Sequence, residues 1–412
     1  MRGGTERRPD ADTGKHPPIE YTFEKEYESP CTRIRSPPAR TINVNQTAAA
    51  PARPYGRFFL PGPTEVHPDV LQAQTRPMMG HRGADAQAFM KPLHDGLKEV
   101  FLTERPVFIS TSSATGLMEA AVRNAARTRI LSLVNGAFSQ RFADIGRACG
   151  FEVDELSVPW GEAHDPGELE ARLSASAYDA VTMVHSETST GVLNDVAALS
   201  EVVHRHGDTM VLVDSVTGFG AAELRPDDWG LDFVLTGSQK AFALPPGLSF
   251  GVASERMMAR AATAPKRGYY FDLEFFAKNH AKDQATTTPA ISVLYALEVQ
   301  LQRMRHEGME ARWARHVAMA ERTWTWVDDM REQGVGLSVL APEGRRSPSV
   351  TTIVLPEGVR GPDVTKGVIE RDWLVGGGYG KLKESTIRIG HMGEHTLEQL
   401  NGLLTVLEEV LA

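Results

Sequence analysis

A carboxylate and an amine stand at the ends of two apolar runs that follow one another along this sequence. Met210–Val213 leads into Asp214, and Phe233–Leu235 leads into Thr236, Gly237, Ser238, Gln239, Lys240 and Ala241. Runs of this kind read as buried strands of a parallel sheet, whose ligands collect at the carboxyl ends of the strands. A lysine placed there, its pKa lowered by its surroundings, can form a Schiff base with a carbonyl compound. An acid beside it can hold a proton on the nitrogen of a pyridine-ring cofactor, which makes that ring an electron sink. Asp214 and Lys240 suit these two roles. Taken singly, each has a plainer reading: Asp214 as the cap of a following helix, Lys240 as a solvent-facing side chain.

Three other stretches carry chemical potential. Ser110–Gly116 follows a strand and precedes a helix, and its small hydroxyl residues leave backbone N–H groups to face an anion such as a phosphate. An ordinary N-cap turn fits the same residues, and the lysine of a P-loop is missing. Val184–Gly191 also follows a strand; its hydroxyls suit a ring substituent or an ordinary Ser/Thr turn. Arg388 interrupts the apolar run Thr386–Ile389, where a guanidinium needs a partner. That partner is either a substrate carboxylate held by a two-pronged fork or a structural salt bridge.

These residues need strands and helices to position them. Strands are expected at Val107–Ser110, Ile130–Val134, Glu152–Val158, Ala180–His185, Met210–Asp214, Phe233–Thr236 and Ser249–Ala253. Helices are expected between them at Gly116–Arg127, Ser139–Cys149, Glu168–Ser174 and Val196–His206. Alternation of this kind predicts an α/β fold with a mostly parallel sheet covered on both faces. After Pro289 one long helical stretch runs through Trp313 and Trp326, then strands at Leu337–Leu340, Val350–Leu355 and Thr386–Ile389 mix with helices near Pro362–Glu370 and from Leu397. The expected division is an extension over residues 1–56 without apolar periodicity, a large domain over 57–300 and a smaller α+β domain over 301–412.

Composition limits the function classes. A net charge of −9 lacks the basic face that nucleic acids require, although a local basic pocket for small acids is compatible with it. Two cysteines, Cys31 and Cys149, build neither a disulfide framework nor a metal site, so no metal is expected. No apolar run is long enough to span a bilayer, and the acidic residues Glu20, Glu24, Glu26 and Glu28 speak against a transit peptide. A cytoplasmic enzyme is the expectation, with no nucleic-acid or membrane partner.

Together the stretches resemble class V aminotransferases, pyridoxal-phosphate enzymes of fold type I, in the alanine–glyoxylate and serine–glyoxylate branch. The resemblance rests on Pro61–Thr64, Glu187–Gly191, Val213–Val216, Gly237–Ala241 and Arg388–Gly393, and it runs from about Phe58 to the C-terminus. It implies a large domain with a seven-stranded, mostly parallel sheet. It also implies that Lys240 carries pyridoxal 5'-phosphate and moves the α-proton, and that Asp214 pairs with the ring nitrogen. Val216 and Phe138 would cover the two ring faces; Ser113, Ala114 and Thr115, with Gln239, would cradle the phosphate. Thr188 would bond the ring hydroxyl, Arg388 would hold the substrate carboxylate, and Gly62 would line the substrate side. A homodimer is implied, with Thr287 reaching the partner's phosphate and Gln284 standing where relatives often carry a tyrosine. The implied activity is ping-pong transfer of an amino group from alanine or serine to a 2-oxo acid such as glyoxylate or pyruvate. Aspartate or 2-aminoethylphosphonate is the alternative donor, with Lys266 and Arg267 as candidate cations for a phosphonate. A lyase or desulfurase and a non-enzymatic binding module are the remaining readings.

Overall fold

The structure is a computed structural model that describes residues 54–412. The extension expected over residues 1–56, and Cys31 with it, lies outside the described residues except for Pro54, Tyr55 and Gly56. The central sheet has seven strands in the order Val107–Ser110, Ser249–Ala253, Phe233–Gly237, Met210–Asp214, Ala180–Val184, Arg129–Val134 and Glu152–Ser157. Among them only Ser249–Ala253 runs against its neighbours. The seven-stranded, mostly parallel sheet is therefore as expected.

Burial explains why these strands read as unbroken apolar runs. Every residue of Ala180–Val184, Met210–Asp214, Phe233–Gly237 and Ser249–Ala253 is buried, because helices cover both faces. Successive side chains still alternate between two cores. Val211 and Val213 pack with Leu97, Phe101 and Phe242, whereas Met210 and Leu212 pack with Leu117, Phe142 and Phe233. At the edge, Glu152–Ser157 turns polar, which discourages pairing with another chain.

A second sheet has the order Phe58–Phe59, Leu374–Gly377, Thr386–Gly390, Val350–Val354 and Ser338–Val339. Helices Met309–Glu332, Gly361–Ile369 and Leu397–Leu411 supply Trp326, Val364, Leu400 and Leu404 to the core on it. The last of these opens on a capping box formed by Thr396 and Gln399.

Several elements differ from the sequence reading. The long helix after Pro289 is two helices, Ile291–Glu307 and Met309–Glu332, because Gly308 takes a left-handed φ of 81° between them. The helices flanking the phosphate turn and the Phe138 segment start two residues earlier than expected, at Ala114 and Ala137. Helices Pro68–Ala73, Ala84–Phe101, Glu255–Ala262 and Leu273–His280 were not anticipated, nor was the Leu374–Gly377 strand. That strand is poor in side chains because Gly376 packs on Pro61, where a Cβ would collide with the ring. No helix among the described residues is long and apolar enough to cross a membrane.

Candidate active site

Adjacent parallel strands bring Asp214 and Lys240 together, as their spacing suggested. Lys240 follows the Phe233–Gly237 strand on a tight loop. The backbone N–H of Ala243 closes a turn on the Lys240 carbonyl at 2.8 Å, with Ala243 itself at a left-handed φ of 54°. Thr64 N–H donates to the Gln239 carbonyl at 2.8 Å and joins the Pro61–Thr64 segment to this loop. The Lys240 amine donates to the Pro61 carbonyl. Gly62 lies against the lysine so closely that a Cβ would collide with Nζ, and its φ of 114° independently favours glycine.

Both groups are buried, and burial dominates their ionisation. It lowers the Lys240 amine to about 8, with the Arg388 charge pushing the same way and Asp214 opposing. The amine thus becomes a free nucleophile as pH rises through about 8 rather than 10.5. Burial raises the Asp214 carboxyl to about 7, against the pull of the Val216 N–H, which donates to it at 2.7 Å. A carboxyl poised near neutrality, with no salt bridge to a cation among the described residues, is suited to share a proton with a ring nitrogen.

The phosphate turn is equally well defined. Ser113 is the N-cap of helix Ala114–Ala125, yet its side chain makes no capping bond. With Ser113, Ala114 and Thr115 all lining the cleft, the positive end of this helix borders it, a setting that suits an anion. Ser112 Oγ fixes the turn by bonding Ser110 Oγ at 2.9 Å and Ser249 Oγ at 3.0 Å.

Gly62, Ser113, Ala114, Thr115, Phe138, Thr188, Asp214, Val216, Gln239 and Lys240 line one cleft of about 230 Å³. Arg388 is not among the residues that line this cleft but is tied to one of them, donating from Nη1 to the Thr188 carbonyl at 3.2 Å and from Nε to the Gly377 carbonyl at 2.8 Å. Among the described residues its bonds are to carbonyls rather than to a carboxylate, so no structural salt bridge is seen there. Thr287 is not brought to the cleft of its own chain. It lies in a segment that Arg82 secures through the carbonyls of Ala285 and Thr286. Lys266 and Arg267 are also elsewhere: Lys266 donates to the Gly150 carbonyl, and Arg267 pairs with Asp272.

Sequence reasoning left out Arg141, Tyr379 and Thr217. Arg141 lines the cleft, lies 4.7 Å from the Phe138 ring centre and reaches the Tyr379 hydroxyl at 3.4 Å. The signal was present, since Arg141 is three residues beyond Phe138 on one helix and so shares its face. Thr217 Oγ1 bonds Thr188 Oγ1 at 2.6 Å, a contact between two loops that no local pattern announces.

A buried nucleophilic lysine, an acid set for a ring nitrogen and an anion-binding helix end, gathered in one cleft, define the class of enzymes that use pyridoxal phosphate. Comparison with known proteins agrees and narrows it. Residues 65–380 match the family "Aminotransferase class-V", to which the chain belongs. Pyridoxal phosphate is its cofactor, the enzyme is a transaminase, and the fold is that of fold type I. The chain is 34% identical over 360 residues to a Synechococcus sp. protein named "Soluble hydrogenase, small subunit", covering 86% of this chain and 92% of that one. It is 32% identical over 365 residues to the L-aspartate–glyoxylate aminotransferase of Paracoccus denitrificans, covering 86% and 91%. The crystal structure of an alanine–glyoxylate aminotransferase from Nostoc sp. superposes with a TM-score of 0.82 at 30% identity, covering 90% of this chain and 99% of that one.

Proposed function

We propose that the enzyme moves an amino group from a small amino acid, alanine or serine, to a 2-oxo acid such as glyoxylate or pyruvate, in a ping-pong cycle. The observation that carries this reading is the pairing of Lys240 and Asp214 in one buried cleft. Glyoxylate as acceptor draws further support from the names of the Paracoccus and Nostoc proteins.

Bound in the cleft, pyridoxal phosphate supplies an electron sink that stabilises negative charge at the donor's α-carbon. The residues of the chain do the rest. Lys240 Nζ would take the proton from the donor's α-carbon as a general base and deliver it, as a general acid, to the former aldehyde carbon of the cofactor. Asp214 keeps the ring nitrogen protonated. Phe138 and Val216 hold the ring between them, and Thr188 orients the ring hydroxyl. Ser113, Ala114, Thr115 and Gln239 bind the phosphate. Arg388 would bind the α-carboxylate and so orient the donor. Gly62 leaves room for the substrate. In the same reading the enzyme works in the cytoplasm as a homodimer, each partner lending Thr287 to the other's phosphate.

Aspartate as donor is the second reading, motivated by the name of the Paracoccus relative and by Arg141, a cleft cation without a carboxylate partner among the described residues. For a phosphonate donor the candidate cations Lys266 and Arg267 bond elsewhere, Lys266 to the Gly150 carbonyl and Arg267 to Asp272, so that reading is left with the Glu187–Gly191 loop alone. Cys149 ends a helix, is buried, and has its thiol pushed up by that burial, which is contrary to what a desulfurase nucleophile needs. The discriminating experiment is a half-reaction without acceptor. A transaminase releases one keto acid per active site and stops, whereas continued turnover on the donor alone would establish a lyase.

A further inference from the structure

Glu187 is fully buried and belongs to no salt bridge among the described residues. Its carboxylate is held by neutral donors alone. Oε2 accepts from Phe138 N–H at 3.1 Å, Ser139 N–H at 2.9 Å and Ser139 Oγ at 3.0 Å. Oε1 accepts from Ser189 N–H at 3.1 Å and Ser189 Oγ at 2.6 Å. Ser189 Oγ in turn accepts from Ala137 N–H at 3.0 Å. The carboxylate therefore sits on the open N-terminus of helix Ala137–Ala148, where a negative charge is favoured and where the first-turn N–H groups lack helical partners.

The chain is built around this group. A Cβ at Gly136 would collide with Cγ and Cδ of Glu187, so the helix can approach only because Gly136 has no side chain. One residue further on, Thr188 bonds Thr217 and offers its carbonyl to Arg388. Two loops of the cleft thus meet at one buried charge.

We propose that Glu187 is a positioning residue of this active site, its carboxylate pinning the Phe138 ring over the cleft and fastening that ring to the Thr188–Arg388 side. The inference rests on the reading that the cleft holds pyridoxal phosphate under Phe138. A core carboxylate with a purely architectural role would not need to join two site-bearing loops, nor to stand where its field reaches both ionisable groups. Glu187 favours the charged form of Lys240 and the neutral form of Asp214. Arg388, Asp214 and Arg141 are the other charges acting on Lys240.

A double-mutant cycle on the full-length chain tests this without relying on turnover. Affinity for pyridoxamine 5'-phosphate, which needs no bond to Lys240, is measured for wild type, Glu187→Gln, Phe138→Ala and the double variant. Each single change is expected to weaken binding roughly ten- to a hundredfold, the scale of lost bonds to a buried charge. If Glu187 acts through Phe138, the double variant binds no more than about twofold worse than the weaker single. The midpoint for capture of pyridoxal phosphate by Lys240 is expected to move to lower pH in Glu187→Gln and to stay in place in Glu187→Asp. Should Glu187→Gln not fold, Ser189→Ala replaces it, with a smaller loss that is coupled to Phe138→Ala in the same way. Losses that multiply in the double variant, or a midpoint that does not move, overturn the inference. Failure of the wild-type chain to bind the cofactor at all overturns the reading of the cleft itself, and is thereby distinguished.

Discussion

At the scale of single residues, the account turns on two ionisations and one fork. The Lys240 amine, lowered by burial to about 8 from the ordinary 10.5, is mostly protonated below that pH and free to react above it. Capture of pyridoxal phosphate by the cofactor-free enzyme should accelerate as pH rises through about 8 and then level off. Stopped-flow absorbance would show this, and a midpoint near 10.5 would mean that the lysine is not desolvated. Arg388→Ala removes the only guanidinium assigned to the donor's α-carboxylate. A lost charge-assisted pair costs roughly 2–5 kcal/mol where the partner stays buried, so kcat/KM for amino donors should fall by at least about thirtyfold. Cofactor affinity, measured by equilibrium titration, should change little. Equal losses in both would place Arg388 in the cofactor's cradle instead.

At the scale of elements, the cleft depends on how its loops are tied to the rest of the chain. Arg312 is completely buried on helix Met309–Glu332. It bonds Glu307 at 2.6 Å, Glu394 at 3.1 Å and the carbonyl of Ala241, the residue after Lys240, at 2.6 Å. Arg312→Met deprives two partly buried acids of one cation each, Glu307 keeping Arg315 and Glu394 keeping Arg303, and should lower stability by about 1–3 kcal/mol, read from urea unfolding at neutral pH. Burial alone would raise the Glu394 carboxyl, yet Arg312, Gln300 and Arg303 hold it down to about 2. Because its folded value lies below the ordinary 4.5, its contribution is complete above 4.5 and disappears as pH falls towards 2. Wild type should therefore lose stability between pH 4.5 and 2 in part through this group, and Glu394→Gln should flatten that slope. The same elements show what the sequence disclosed. Strands buried on both faces, such as Met210–Asp214, were legible because nothing polar interrupts them. Leu374–Gly377 was not, since Gly376 serves packing against Pro61 rather than strand propensity. Helix starts were misplaced where a glycine or an uncapped serine precedes them.

At the scale of the whole molecule, most of the cleft could be named in advance. Ser113, Ala114, Phe138 and Asp214 fall at strand ends or helix starts, where a local pattern marks them, and Arg388 is marked as the one cation in an apolar strand. Arg141 and Tyr379 escaped because their meeting depends on how the second sheet lies against the first. Thr287 is not among the residues lining the cleft of its own chain, and the proposed homodimer would give it a task. Equilibrium sedimentation should return about twice the chain mass of 45.1 kDa, and a monomer with full activity would remove Thr287 from the site. The most direct test of the central claim is an absorbance spectrum of the purified enzyme while amino acids are added one at a time without acceptor. The account predicts a yellow protein that bleaches with a small amino donor and recovers its colour when glyoxylate or pyruvate follows, and a Lys240→Ala variant that does neither. A protein that remains colourless after added pyridoxal phosphate, or a Lys240→Ala variant that transaminates at the wild-type rate, would contradict it.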